Sequence, residues 1–173
     1  MNKKDRAIVA SFLIDSEKGL RTAQIEKTIA SKDNSKGYKI SCKLAYDTAL
    51  IMNMGQLPIS YIYEKDFDWS KHPEARNLNR KHGEESVKIA EQLGIELSSE
   101  QIDAIVAHCK GECPNLLCEI ITIAETCEAV THTRVYNNRS KQPAKDWTEV
   151  EIILRENKSL SYEMISIAKE ALS

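Results

Sequence analysis

Met52-Asn53-Met54-Gly55-Gln56-Leu57-Pro58-Ile59 is the stretch on which the reading of the fold turns. It closes an apolar run, carries a glycine where a helix C-cap glycine belongs, and then bends through a Leu-Pro-Ile step. Upstream, residues 38–54 read as a strong helix. Ile40, Leu44 and Ile51, flanked by Ala45, Ala49 and Met52, make a wide apolar stripe that ends at Gly55. Downstream, from Leu57 to Ser70, that period is lost, and Tyr61, Tyr63, Phe67 and Trp69 alternate with charges. One isolated strand would have no partner there, so a packed loop is expected. The stretch has the frame of a catalytic motif, yet none of its side chains suits a hard metal ion or titrates near neutral pH.

Working outward toward the N-terminus, residues 3–14 pair Ile8 with Phe12 and Val9 with Leu13 at helical spacing. Asp15 to Gly19 reads as a polar break. A weaker helix follows, with Ile25 and Ile29 paired and Thr22 near its start, and residues 31–37 read as a loop.

Toward the C-terminus, Pro73 suits the first turn of a helix that Gly94 ends. Leu78, His82, Ile89 and Leu93 share one face of it. Ser98 and Gln101 form a capping box ahead of Ile102, Ile105, Val106 and Cys109. His108 lies beside that stripe, close to a helix end marked by Gly111.

Pro114 opens the most apolar helix. Leu116, Leu117, Ile120, Ile121, Ile123, Ala124, Cys127 and Val130 surround nearly its whole circumference, as in the central helix of a bundle, and Glu125 lies within it. Tyr136 to Lys145 is a polar loop. Asp146 and Glu149 make a cap-like start for a helix with Val150, Ile153 and Leu154, and a last helix runs near 162–172. The fold class expected is all-α, a bundle of about seven helices, without internal repeats.

The totals bound what such a bundle does. At 173 residues the chain is long enough to bury a core without staples. A net charge of −2 and a pI near 6.1 give no electrostatic case for nucleic acid or an anionic membrane surface. No apolar run approaches the roughly 18 residues of a membrane span. The N-terminus does not read as a secretory signal, and five cysteines, an odd number, read as reduced thiols in a cytoplasm. Cys109, Cys113, Cys118 and Cys127 match no standard zinc spacing, and the last two read as small hydrophobes on the apolar helix.

Three polar groups on apolar faces stand out: His82, His108 and Glu125, from three successive helices. A buried carboxylate with two imidazoles can ligate Zn, Mn or Fe and lower the pKa of bound water. A histidine on a helix face is more often a hydrogen-bonded core residue, so order and spacing carry the argument. Met52 to Ile59 resembles the His-Asp-Ile-Gly-Lys-Leu-Pro-Ile segment of the HD superfamily of metal-dependent phosphohydrolases, in particular its HD-GYP branch. A further family His follows that dyad by about thirty residues, which falls on His82; Ala107-His108-Cys109-Lys110 stands where the family has His-His-Glu. Ile123 to Tyr136 is similar to the family's Val-Ala-Asp-x-x-Asp-Ala-Leu-Thr-Ser-Asp-Arg-Pro-Tyr helix, with Glu125 at its first Asp. The similarity runs from about residue 38 to the C-terminus.

The departures fall on the working residues. The metal-bridging His-Asp dyad is Met52-Asn53, the lysine that meets substrate phosphate is Gln56, and Gly111-Glu112-Cys113-Pro114 replaces the Gly-Tyr-Pro loop. No histidine precedes His72, so the family's earliest ligand has no counterpart. The resemblance therefore implies one HD/HD-GYP-like domain over 1–173, with N-terminal helices at 1–37, an HD-like core at 38–136 and C-terminal helices at 137–173. It implies a degenerate, non-catalytic module that binds a ligand or a protein in bacterial signalling. The alternative is a phosphohydrolase or phosphodiesterase with a mononuclear site, in which His82, His108 and Glu125 hold the ion and Asn53 orients water. The expected cofactor is none, or one divalent Mn, Fe or Zn ion. The expected partner is a protein or a small phosphorylated ligand, and a homodimer stays open. Arg134, with Arg139, Lys141 and Lys145, could meet a phosphate, although a solvated basic loop is the plainer reading.

Overall fold

The α-helix Leu116–Thr131 is the axis of the structure, a computed structural model that describes residues 16–64, 67–132 and 146–172 together with 1, 5, 8 and 9. Around it, in chain order, stand α1 (Ser16–Ser35), α2 (Cys42–Met52), a 3-10 helix (Met54–Tyr63), α3 (Pro73–Arg80), α4 (His82–Gln92) and α5 (Ser99–His108). The central helix is α6, followed by α7 (Trp147–Glu156) and α8 (Tyr162–Leu172). Asp5, Ile8 and Val9 are also helical. Among the described residues there is no strand, so the all-α expectation holds. The remainder of the expected helix at 3–14, the loop at 136–145 and Arg134, Arg139, Lys141 and Lys145 lie outside the described residues.

The central position of α6 follows from its sequence. Leu117, Ile120, Ile121, Ile123 and Ala124 are fully buried, and the helix packs on α1, α2, α5, α7 and α8. Side chains start the helices as their sequences demand. Ser98 and Gln101 form the capping box of α5, Asn115 accepts from the Cys118 N–H at 2.9 Å, and Asp146 accepts from the Glu149 N–H at 3.2 Å. Gly94 and Gly111, with φ of +69° and +76°, follow the ends of α4 and α5.

Four expectations are corrected. Helix α1 takes in residues 16–19 of the expected polar break and most of the loop at 31–37, while Asp15 lies outside the described residues. Its buried face is itself polar, with Lys18, Thr22, Glu26 and Asp33 buried beside Ala23, Ile29 and Ala30. Lys18 pairs with Glu125 at 3.4 Å and Arg21 with Glu128 at 2.8 Å, so ion pairs to α6 hold what apolar periodicity did not reveal. Second, the helix expected over 73–94 is two helices, broken at Lys81. Third, Leu57 to Tyr63 belongs to a 3-10 helix, kinked at Ile59 just after Pro58, rather than to a loop.

Fourth, Gly55 is not the C-cap of α2. Asn53 is the cap, with φ of −104° and ψ of 4°, and Gly55 lies inside the 3-10 helix. What the position requires is the absence of a side chain. A Cβ there would stand 2.0 Å from the His82 carbonyl oxygen and 2.7 Å from the Ser86 nitrogen. The Gly55 N–H donates to Ser86 Oγ at 2.8 Å, and the same hydroxyl lies within hydrogen-bond reach of the Met52 and His82 carbonyls. The motif frame thus packs directly against the first turn of α4.

Candidate metal centre

Two close approaches bring the histidines together. Gly55 lets the chain after α2 lie against the start of α4. Gly83 does the same between α4 and α5, where a Cβ would meet the Ile105 carbonyl oxygen at 2.2 Å. His82 is the first residue of α4 and His108 the last of α5. Their rings meet edge to face with centroids 5.0 Å apart, and their Nε2 atoms lie 3.1 Å apart. The Glu125 carboxylate, on α6, stands 3.9 Å from His108 Nε2. Of the three residues singled out from sequence, His82 and His108 therefore meet, and Glu125 stands beside His108.

The backbone fixes the protonation of both rings. His82 Nδ1 lies 2.5 Å from the Asn79 carbonyl, and His108 Nδ1 lies 2.6 Å from the Ile105 carbonyl. A carbonyl only accepts, so each Nδ1 carries the hydrogen and each Nε2 presents a lone pair. Two neutral imidazoles held this way point lone pairs at one another, and only a shared proton or a metal cation relieves the contact. Burial, then the neighbouring His108, pushes the His82 imidazolium down to about 4. Burial pushes His108 down as well. A proton is thus a poor occupant at neutral pH. A tetrahedral ion with Zn–N bonds of about 2.0–2.1 Å sets two ligand nitrogens about 3.3 Å apart, so the observed separation needs little adjustment.

Cys109 offers a further donor. Its Sγ and the two imidazoles have ligand atoms within 4.8 Å of one another. The thiol donates to the Arg80 carbonyl at 2.9 Å, and burial pushes its pKa up, so a metal would have to displace that proton. The signal in the sequence is the third residue of the Ala-His-Cys tripeptide, which stands where the resemblance has the second histidine of a pair.

Lys18 was not foreseen. It is 4% exposed, its Nζ lies 3.4 Å from Glu125 Oε1, and its ammonium helps to disfavour charge on both histidines. Glu26 is equally unforeseen. Two turns further along α1, it is fully buried, and neither carboxylate oxygen has a hydrogen-bond partner. Burial, then the Glu125 charge, raises its pKa well above the ordinary value.

The positions at which the resemblance expects a His-Asp dyad and a lysine are packed away. Met52 is fully buried in the core, and Asn53 and Gln56 are buried with it. Gln56 Nε2 donates to Asn53 Oδ1 at 2.8 Å.

Comparison of the chain with protein-family models, with curated proteins and with solved structures gave no match. What is established is an all-α chain in which, among the described residues, a buried histidine pair with a neighbouring cysteine could hold a metal ion, and in which no helix is long and apolar enough to cross a membrane.

Proposed function

We propose that the chain is a degenerate HD-GYP-like domain acting as a non-catalytic, ligand- or protein-binding regulatory module in bacterial signalling. The reading starts from the motif resemblance, and one observation carries it: Asn53 and Gln56 are buried and bonded to each other. These are the positions at which the resemblance expects a metal-bridging aspartate and a phosphate-meeting lysine. Both side chains are neutral amides, and Gln56 spends an N–H on the Asn53 oxygen, so neither offers a charge to a phosphodiester. Supplied with divalent manganese, iron or zinc, the protein is expected to release no product from a cyclic dinucleotide or from bis(p-nitrophenyl) phosphate. Turnover that disappears in His82→Ala would overturn this reading.

The facing lone pairs of His82 and His108 favour a second reading, a phosphohydrolase with one metal ion held by these residues and Glu125. A bound divalent ion there would supply an activated water. Equilibrated with zinc and desalted, the chain is expected to retain one ion and His108→Ala essentially none. Equal retention by the two proteins would sink the metal centre. Retention without turnover leaves the first reading with a structural metal, and retention with turnover selects the second.

A further inference from the structure

The turn between α5 and α6, Glu112-Cys113-Pro114-Asn115-Leu116-Leu117-Cys118, holds two thiols apart from the histidine centre. Cys113 is half-buried just before the N-cap Asn115, and Cys118 is buried in the first turn of α6. Both sulfurs lie against one hydroxyl, Thr122 Oγ1, at 3.6 Å from Cys113 and 4.0 Å from Cys118. The Cys118 S–H donates to the Glu112 carbonyl at 3.2 Å, and its one hydrogen turns to Cys113 once that sulfur ionises.

We infer that Cys113 and Cys118 form a peroxide-sensitive dithiol, with Cys113 the sulfur that is oxidised first and Cys118 the one that resolves it. The arrangement assigns the roles. Cys113 is the partly exposed sulfur, and it lies beside the N-terminus of α6, where the unpaired N–H groups favour an anion. The Cys118 thiol first, then the Ser159 and Thr122 hydroxyls, stabilise its thiolate and lower its pKa, against its own partial burial and the Glu119 carboxylate on α6. Cys118 is held as the thiol, raised chiefly by that same hydrogen bond to Cys113 and then by burial. No other cysteine has this setting. Burial raises Cys109 and Cys127, the latter to about 12.

The chemistry balances with a hydroperoxide as oxidant. The Cys113 thiolate attacks one peroxide oxygen; an S–O bond forms, the O–O bond breaks and hydroxide leaves. The Cys118 sulfur then attacks Cys113 Sγ as its proton passes to the departing hydroxyl; an S–S bond forms, the S–O bond breaks and water leaves. Two thiols lose two electrons, and the peroxide becomes two waters.

The test uses the full chain and one equivalent of hydrogen peroxide. Trypsin places Cys113, Cys118 and Cys127 in one peptide, Gly111 to Arg134. Fragmentation of that peptide is expected to show two hydrogens lost between Cys113 and Cys118, restored by dithiothreitol. In Cys118→Ser, dimedone is expected to trap a sulfenic acid at Cys113. An alkylation series on the unsubstituted protein does not depend on a variant folding. At pH 6.5 iodoacetamide is expected to modify Cys113 on the order of fivefold faster than Cys42, since a low-pKa thiol gains thiolate fraction faster than it loses nucleophilicity. Equal alkylation rates, earlier oxidation of Cys42 or Cys109, or bridges between chains would each overturn the inference.

Discussion

Gly55→Ala is expected to cost about 3 kcal/mol or more, because the added methyl would stand 2.0 Å from one backbone atom and 2.7 Å from another. Neither the His82 carbonyl nor the Ser86 nitrogen can rotate away as a side chain would. Relief requires α4 to move from the 3-10 helix, which also strips the Gly55 N–H from Ser86 Oγ. For a chain of this length the loss corresponds to a fall in Tm of about 6–12 °C. Gly94→Ala is the control. Its Cβ meets nothing within 4 Å, and the cost of about 1 kcal/mol comes only from the positive φ. Since His82 begins the displaced helix, zinc retention should fall with Tm in Gly55→Ala and stay unchanged in Gly94→Ala. A Tm within ~2 °C of the parent would show that the close approach is not a real constraint.

The second large effect has the opposite sign. Glu26→Met is expected to raise stability by about 1–3 kcal/mol at pH 8, since it replaces an unpartnered buried carboxyl with an apolar side chain of similar size. The pH dependence identifies the cause. The folded-state pKa of Glu26 is raised, so the native chain holds that proton more tightly than the unfolded one does. Its contribution is fully present below the unfolded value, about 4.3, and stability is lost as pH rises through the folded value. Urea titrations from pH 4 upward should show the gap between Glu26→Met and its parent widening with pH. A variant less stable than the parent at pH 8 would mean that the carboxylate is paired in solution, and that this corner of the protein is a binding site rather than a burden.

How much of this was legible in the sequence depends on which signal each element used. Helix α6 announced itself because its apolar residues go all the way round, and α5 because Ser98 and Gln101 cap it with their own side chains. His82, His108 and Glu125 could be grouped by order and spacing; the two histidines do meet, Glu125 stands beside His108, and the third donor close to both histidines is Cys109. Helix α1 was hard to see because its buried face is written in Lys18, Thr22, Glu26 and Asp33, which no apolar periodicity detects. The partners of Lys18 and Arg21, Glu125 and Glu128, lie 107 residues away, and the carboxyl oxygens of Glu26 and Asp33 have no hydrogen-bond partner among the described residues. The break at Lys81 and the true role of Gly55 were hidden for a related reason. Both depend on contacts between segments distant in the chain, and a local pattern shows where a glycine falls but not what presses against it.

The two ion pairs between α1 and α6 share one offset, Lys18 to Glu125 and Arg21 to Glu128. That spacing sets an order of events in synthesis. At about 5–20 residues per second, helix α1 emerges roughly 5–20 seconds before the carboxylates it needs. In that interval it has α2 to lean on, while Lys18, Thr22 and Glu26 keep the face later covered by the bundle wet and unattractive to other chains. The polar residues that made α1 hard to recognise thus give the nascent chain a helix that can wait in water, and that closes the bundle only once α6 exists to receive it.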